Sequence, residues 1–358
     1  MQRTHTSNPR TLFLDTHDVA RLLGAMGLPE AVTQLVGRLR ADYLRWPQFD
    51  KAARIASYAE PGTIELMPIS DGQQYTFKCV NGHPGNGAYG LPTVMATGAL
   101  LDCDTGMIRM MSELTLTTAL RTAATSALAA QALARPDSRS MAVIGNGAQS
   151  DFQVIAFYTL LGIREFRLFD IDRGASLRLQ RNLAASGLAD LDVRVCDSVE
   201  QAVKGADIVT TVTAYQGVAQ VLSADLLEPG MHINAVGGDC PGKTELDPAI
   251  LPKTTVFVEF PPQTRNEGEI QHQAADFPIT ELWQVLAGQR PGRADDAQIT
   301  LFDSVGFALE DYSALQFLYA QATQHGVGRW VDVTPHQEDP RDLFGWLQAQ
   351  GRAETVSA

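Results

Sequence analysis

The run Gly145-Asn146-Gly147-Ala148-Gln149-Ser150 follows the apolar stretch Met141–Ile144 and leads into a helical pattern. In a strand-to-helix turn of this kind the first glycine permits the tight bend and the second lets backbone approach a pyrophosphate. The helix N-terminus then offers unpaired N–H groups to the anion. Ser150 stands where the full fingerprint has a third glycine, and it is small enough for close helix–strand packing. Asp170 lies 25 positions beyond Gly145 at the end of the next strand pattern. A carboxylate there binds the adenosine ribose hydroxyls and repels a 2′-phosphate, so NAD is expected rather than NADP. Arg173 is the counter-signal, and Asp172 reads equally well as a cap on the following helix.

A second constellation is Val236-Gly237-Gly238-Asp239, at the end of the apolar run His232–Val236. Open α/β sheets hold ligands at the carboxyl ends of their strands. The paired glycines would bring backbone close to a nicotinamide, and Asp239 could exchange a proton with a ligand bound at that edge. The competing reading of Asp239 is a turn-forming acid. Lys78 interrupts a strand that is otherwise apolar or neutral, and Asn81-Gly-His-Pro84 follows it. A lysine on a solvated face is the plainer alternative. His83 suits local loop bonding as well as catalysis, and the methionines between Met107 and Met111 read as core.

These residues need two kinds of scaffold. Before residue 125 the pattern is β-like: Gly62–Ile69, Tyr75–Asn81 and Thr93–Leu101, with Tyr75, Phe77 and Cys79 alternating against Thr76, Lys78 and Val80. Asp102-Cys-Asp-Thr-Gly106 supplies turn chemistry between antiparallel strands, and Leu114–Leu133 reads as one long helix ending before Pro136. Beyond it, strands and helices alternate. Candidate strands are Met141–Ile144, Glu165–Asp170, Leu191–Cys196, Asp207–Val212, His232–Val236, Thr255–Glu259 and Ile299–Asp303; Gln149–Leu161 and Gly174–Ala184 are helical. Continuous apolar strands joined by helices imply an α/β fold, a Rossmann-type doubly wound parallel sheet. A mixed α+β domain precedes it. The sequence leaves open whether Leu309–His325 and the polar tail return to that first domain.

Composition narrows the partners. The 358 residues suit two domains; 45% are hydrophobic and 19% charged, as in a globular protein with a sizeable core. A formal charge of −13 disfavours nucleic acid and anionic lipid, and no run approaches the ~20 apolar residues of a membrane span. Met1–Arg10 is polar, carries no secretory pattern and is expected to be an unstructured extension. Cys79, Cys103, Cys196 and Cys240 are scattered, which suits a reducing cytoplasm, and seven scattered histidines give no metal-ligand spacing. A small molecule is the expected partner, with no metal.

Several of these segments together resemble the ornithine cyclodeaminase/mu-crystallin family. They are Glu65-Leu-Met-Pro68, Lys78-Cys-Val-Asn-Gly-His-Pro84, Arg121-Thr-Ala-Ala-Thr-Ser126, Gly145–Gln149, Asn234–Glu245 and Phe302–Asp311. The resemblance runs from about Phe13 to about Leu347, and the Asn-Gly-His-Pro and Gly-Gly-Asp-Cys-Pro-Gly-Lys segments are similar to the bacterial cyclodeaminases within it. It implies residues 1–125 with about 315–358 as a substrate-binding and dimerisation domain, 126–314 as the NAD domain, and a homodimer. It also implies conversion of L-ornithine to L-proline and ammonia, a place in proline formation and ornithine catabolism. Ornithine gives up its Cα hydride to NAD, the δ-amine closes on the resulting imine, ammonia leaves, and the hydride returns. NAD is then not consumed.

By the same resemblance, Arg54, Lys78 and Arg121 bind the substrate carboxylate or hold neighbouring groups. Asp239 transfers protons and Glu65 holds or deprotonates the δ-ammonium. Thr93, Arg121, Gly145, Gly147, Ala148, Gln149, Asp170, Thr213, Val236, Gly237, Gly238, Asp239, Lys243 and Ser304 serve the cofactor, though each of the lesser ones alone reads equally as structural. The related chemistries are lysine cyclodeamination to pipecolate, imine reduction and amino-acid dehydrogenation. One methylene in a pocket is worth only about 1–3 kcal/mol of discrimination. A mu-crystallin-like cofactor- or ligand-binding protein is the non-enzymatic alternative.

Overall fold

In the computed structural model, residues 10–59, 61–214 and 218–355 are described. The expected extension over Met1–Arg10 lies almost wholly outside them. Two eight-stranded sheets organise the chain. All seven strand patterns read beyond residue 140 form one fully parallel sheet, joined at its edge by the two-residue strand Thr280–Glu281. Its spatial order runs through the strands starting at Asp192, Glu165, Ser140, Ile208, His232, Thr300, Thr255 and Thr280. The order reverses beside Ser140–Ile144, the switch point at which doubly wound sheets open a ligand crevice. The strand carrying Ser140–Ile144 is buried throughout, as both-face coverage requires.

The other sheet is antiparallel except for one pair and is built on Gly62–Ser70, Gln74–Gly82, Val94–Asp102 and Ile108–Glu113. The chain does return to it. Arg329–Val331 pairs antiparallel with Thr11–Leu14, and helix Ala308–His325 packs on the sheet's inner face. The sequence pattern assigns no helix ahead of residue 114, yet Thr16–Met26 and Leu28–Leu44 are helical. Asp15 and Asp18 close a reciprocal capping box at the first, a signal the sequence contained.

Alternation in Gln74–Gly82 has an unexpected polarity. Thr76, Lys78 and Val80 point inward and are buried, while Tyr75, Phe77, Cys79 and Asn81 are half-buried on the opposite face. The face that looks apolar in sequence is the outer one. Between the sheets runs helix Thr115–Leu133, buried on almost every side and rich in alanine. Small side chains let it pack against Leu28–Leu44, Ser150–Leu161 and Ala308–His325 together. It carries Arg121 into the space between the sheets.

Candidate functional site

At the carboxyl edge of the parallel sheet, Gly145 adopts φ +93°, and a Cβ there would stand 2.8 Å from the Val212 carbonyl oxygen. Glycine is therefore required by the turn itself. Asp170 locks that turn: Oδ2 accepts the Asn146 N–H at 2.6 Å and Oδ1 the Asp172 N–H at 2.8 Å. Asp172 caps helix Arg173–Ala185, and Arg173 is held by Asp197. Ser150 is fully buried and donates to the Gly147 carbonyl at 2.6 Å, so it meets the packing demand of the third glycine. Gly147 and Ala148 are exposed, while Gln149 Oε1 is buried without a hydrogen-bond partner. The open Gly147–Ala148 loop and the N-terminus of helix Ser150–Leu161, which has no side-chain cap, leave backbone N–H groups for a dinucleotide phosphate.

Two strands along, Val236, Gly237 and Gly238 are buried and Asp239 emerges with 48% of its side chain exposed. Asp239 Oδ1 pairs with Lys243 Nζ at 2.8 Å, and Lys243 is itself buried. Burial works against the Lys243 charge, but the Asp239 carboxylate, helped by Glu245, offsets it and raises the ammonium pKa. The space behind the glycines is filled. A Cβ on Gly237 would come within 2.2 Å of the Glu245 carboxyl, and one on Gly238 within 2.8 Å of Glu269 Oε1. Glu245 accepts from the N–H groups of Thr213 and Gly237, tying two neighbouring strand ends together.

Across the cleft, the three cations from the other half of the chain are all buried and all paired. Arg54 is engaged at each nitrogen, through hydrogen bonds at Nη1 and Nη2 and an ion pair at Nε. Nη1 donates to Glu65 Oε2 at 2.7 Å and reaches the Asp239 carbonyl at 3.5 Å; Nη2 donates to the carbonyls of Val305 and Gly306; Nε lies 3.0 Å from Glu267 Oε2. Lys78 Nζ donates to Asp311 Oδ1 at 2.9 Å, and Arg121 reaches the same oxygen through Nε and Glu310 Oε2 through Nη1. A lysine has three N–H donors and an arginine five, so Lys78 and Arg121 keep donors in reserve. Gly306 joins the two groups: its carbonyl accepts from Arg54, and its Cβ position lies 2.7 Å from Arg121 Nη1.

The titration of these groups follows from burial. Burial, reinforced by the nearby Arg121 charge, draws the Lys78 ammonium down to about 8 against the pull of Asp311. Burial lifts the Glu310 carboxyl to about 8 despite Arg121. Glu267 is lifted to about 7, by burial first and then by Glu65 and Asp239, with Arg54 opposing. The cleft holds several groups able to exchange protons near neutral pH.

The structure thus brings Arg54, Glu65, Lys78, Arg121, Asp239, Lys243 and Ser304 into one cleft, with Gly145, Asp170, Thr213 and Gly237 along the sheet edge beside it. Ser304 is held from behind, donating to Glu259 at 2.7 Å. Thr93 stands apart: its carbonyl accepts from the His83 N–H and the Asn81 amide, and among the described residues no hydrogen bond joins it to the cluster. Sequence reasoning missed Glu267 and Gln263, one helical turn apart on Pro261–Glu267 and both turned toward Arg54. It quoted Glu310 and Asp311 without giving them a role. The adjacent acids opening an apolar helix, and the Glu267-Gly-Glu269 triplet, were the available signals.

Known proteins share this sequence pattern and this fold. The model of the ornithine cyclodeaminase/mu-crystallin family matches residues 17–326. The chain is 52% identical over 335 residues to an ornithine cyclodeaminase of Agrobacterium fabrum (strain C58), covering 94% of each chain. Among solved structures, a lysine cyclodeaminase superposes with a TM-score of 0.85 at 32% identity, covering 94% of this chain and 99% of the other. An archaeal alanine dehydrogenase dimer with bound NAD gives 0.81 at 31% identity, covering 91% and 100%.

Proposed function

The chain belongs to the ornithine cyclodeaminase/mu-crystallin family, and from that premise we propose that it is an NAD-dependent ornithine cyclodeaminase releasing L-proline and ammonia. The observation that carries this reading is the two-ended cleft. At one end Lys78 and Arg121 retain free donors, and at the other the three carboxylates of Glu65, Glu267 and Asp239 are answered by two cations, Arg54 and Lys243. A diamino acid has the matching ends. Its carboxylate fits the donors of Arg121 and Lys78, and its two ammonium groups fit the acidic end.

Gly145–Gln149 would hold the dinucleotide, Asp170 its ribose, and Thr213, Val236–Gly238, Lys243 and Ser304 would border the nicotinamide; NAD held there would supply an acceptor and later a donor for the Cα hydride. Asp239 takes the proton from the α-ammonium, and Glu65 holds the δ-ammonium and takes its proton, freeing the amine to close the ring. Fixing both amines in one cleft replaces a bimolecular encounter. Asp239 then returns a proton to the departing ammonia. Arg54 fixes Glu65, Glu267 and the Val305–Gly306 turn in place. The 52% identity to an ornithine enzyme, against 32% to a lysine enzyme, favours the shorter substrate.

Two further expectations rest on the same reading. The protein is a homodimer, supported by the outward sheet face on which Ile55 and Leu66 lie opposite each other, 65% and 37% exposed. It is cytoplasmic, as four free cysteines suggest; no described helix is long and apolar enough to cross a membrane.

The decisive assay supplies ornithine and NAD and follows ammonia, proline and NADH together. Equimolar ammonia and proline without lasting NADH are expected, and lysine run in parallel should turn over more slowly. Steady NADH accumulation would mark a plain amino-acid dehydrogenase. Asp239→Asn should lower turnover by about 10²–10⁴ while leaving NADH affinity within a few-fold. A binding protein would show no turnover to lose.

A further inference from the structure

Beneath the Asp239 loop three buried carboxylates form a chain of backbone grips. Asp303 accepts from the N–H groups of Glu269 and Ile270 at 3.0 and 3.1 Å. Glu269 accepts from those of Glu245 and Leu246 at 2.7 and 3.1 Å. Glu245 accepts from Thr213 and Gly237 at 2.7 and 2.9 Å. The first two links each hold the backbone of the next acid. The last holds the two strand ends that flank the proposed nicotinamide pocket, and Asp239 lies two residues beyond one of them.

Among the described residues none of the three acids forms an ion pair, and all are at most 4% exposed. Burying carboxylates in this way is costly unless their hydrogen bonds are met. Glycines make the arrangement possible at every link. A Cβ on Gly237 would fall 2.2 Å from the Glu245 carboxyl, on Gly238 2.8 Å from Glu269, and on Gly268 2.6 Å from Asp303. An apolar filler could pack this space, but it could not bind six N–H groups belonging to separate segments. What the acids supply is fixed loop geometry.

We propose that Glu245 is a positioning residue for Asp239 and the cofactor pocket, and that Gly237 is glycine to seat Glu245, not to admit the nicotinamide. The inference rests on the proposed function for its kinetics but not for its binding measurements. A double-mutant cycle tests it, with NADH affinity read by fluorescence titration. Gly237→Ala should weaken NADH binding about tenfold or more in the parent and less than about threefold in a Glu245→Ala background, where the seat is vacant. Equal losses in both backgrounds would mean that the cofactor itself demands the glycine, and would overturn the proposal.

Glu245→Gln keeps the shape but turns an amide donor toward one of the two N–H groups. Its kcat with ornithine should fall about tenfold with KM within about twofold, since the loss falls on alignment rather than substrate affinity. An unchanged kcat would overturn the proposal even if Gly237→Ala does not fold. Absence of ornithine turnover in the parent would remove the proposed function alone, and the NADH cycle would still decide the positioning role.

Discussion

On the antiparallel-sheet side of the cleft, Lys78 and Arg121 meet Asp311 and Glu310 at 2.7–3.1 Å, whereas under the parallel sheet Glu245, Glu259, Glu269 and Asp303 are met by N–H and hydroxyl donors. Both banks are buried. A cation held by a carboxylate side chain can exchange that partner for the carboxylate of a ligand, because one charge replaces another. A carboxylate held by backbone has no such exchange open to it: a ligand would have to unpick the loops. The first bank is suited to binding and release, the second to holding still.

The largest effect expected from breaking the contrast is at Arg121. Arg121→Met takes the guanidinium from both Glu310 and Asp311, leaving Glu310 with the Tyr43 hydroxyl and Asp311 with Lys78, and should destabilise by about 3–5 kcal/mol in urea unfolding. Asp303→Asn keeps one acceptor and strands one of the two N–H groups at Glu269 and Ile270, so about 1–3 kcal/mol is expected. If Asp303→Asn proved the more damaging, the distinction between the banks would fail.

Titration sharpens the comparison with a smaller effect. Burial raises Asp303 to about 7 and Glu269 to about 8, beside Glu267 at about 7 and Glu310 at about 8. The folded protein holds these protons where the unfolded chain, with ordinary carboxylates, has already released them. Raising pH therefore removes stability until the folded values are passed. His232, drawn down to about 3 by burial, acts oppositely, but its contribution is complete above the ordinary histidine value of about 6.5. Lys78 begins to add stability only above about 8. Unfolding free energy should consequently decline between about pH 6.5 and 8, and Asp303→Asn should flatten that slope.

At the small end, Arg173→Ala removes an exposed pair with Asp197. It should leave the unfolding midpoint unchanged within error and retain NAD preference over NADP, since Asp170 and not Arg173 sits in the turn.

Much of the fold was legible because its signals are local. Continuous apolar runs gave the seven parallel strands, and Gly145 announced its turn through a backbone angle that only its own neighbours impose. Asp170 was legible through its spacing, although its grip on the Asn146 N–H was not. The helices Thr16–Met26 and Leu28–Leu44 went unread although Asp15 and Asp18 carried a capping signal. In the site, Asp239 was found by its place at a strand end, while Glu267 lay on a seven-residue helix too short to show a period.

By itself the sequence determined the series of parallel strands beyond residue 140, the dinucleotide turn and the identities of the charged residues, since side-chain periodicity and turn chemistry act over a few positions. Only the tertiary structure decided which charges meet. Lys78 finds Asp311 across 233 positions and Arg121 finds Glu310 across 189, and it took folding to turn Lys78 inward and seat Glu245 against Gly237. Coulomb and hydrogen-bond partners depend on distance in space, and the chain's local pattern carries no record of that distance until the two sheets close on the helix between them.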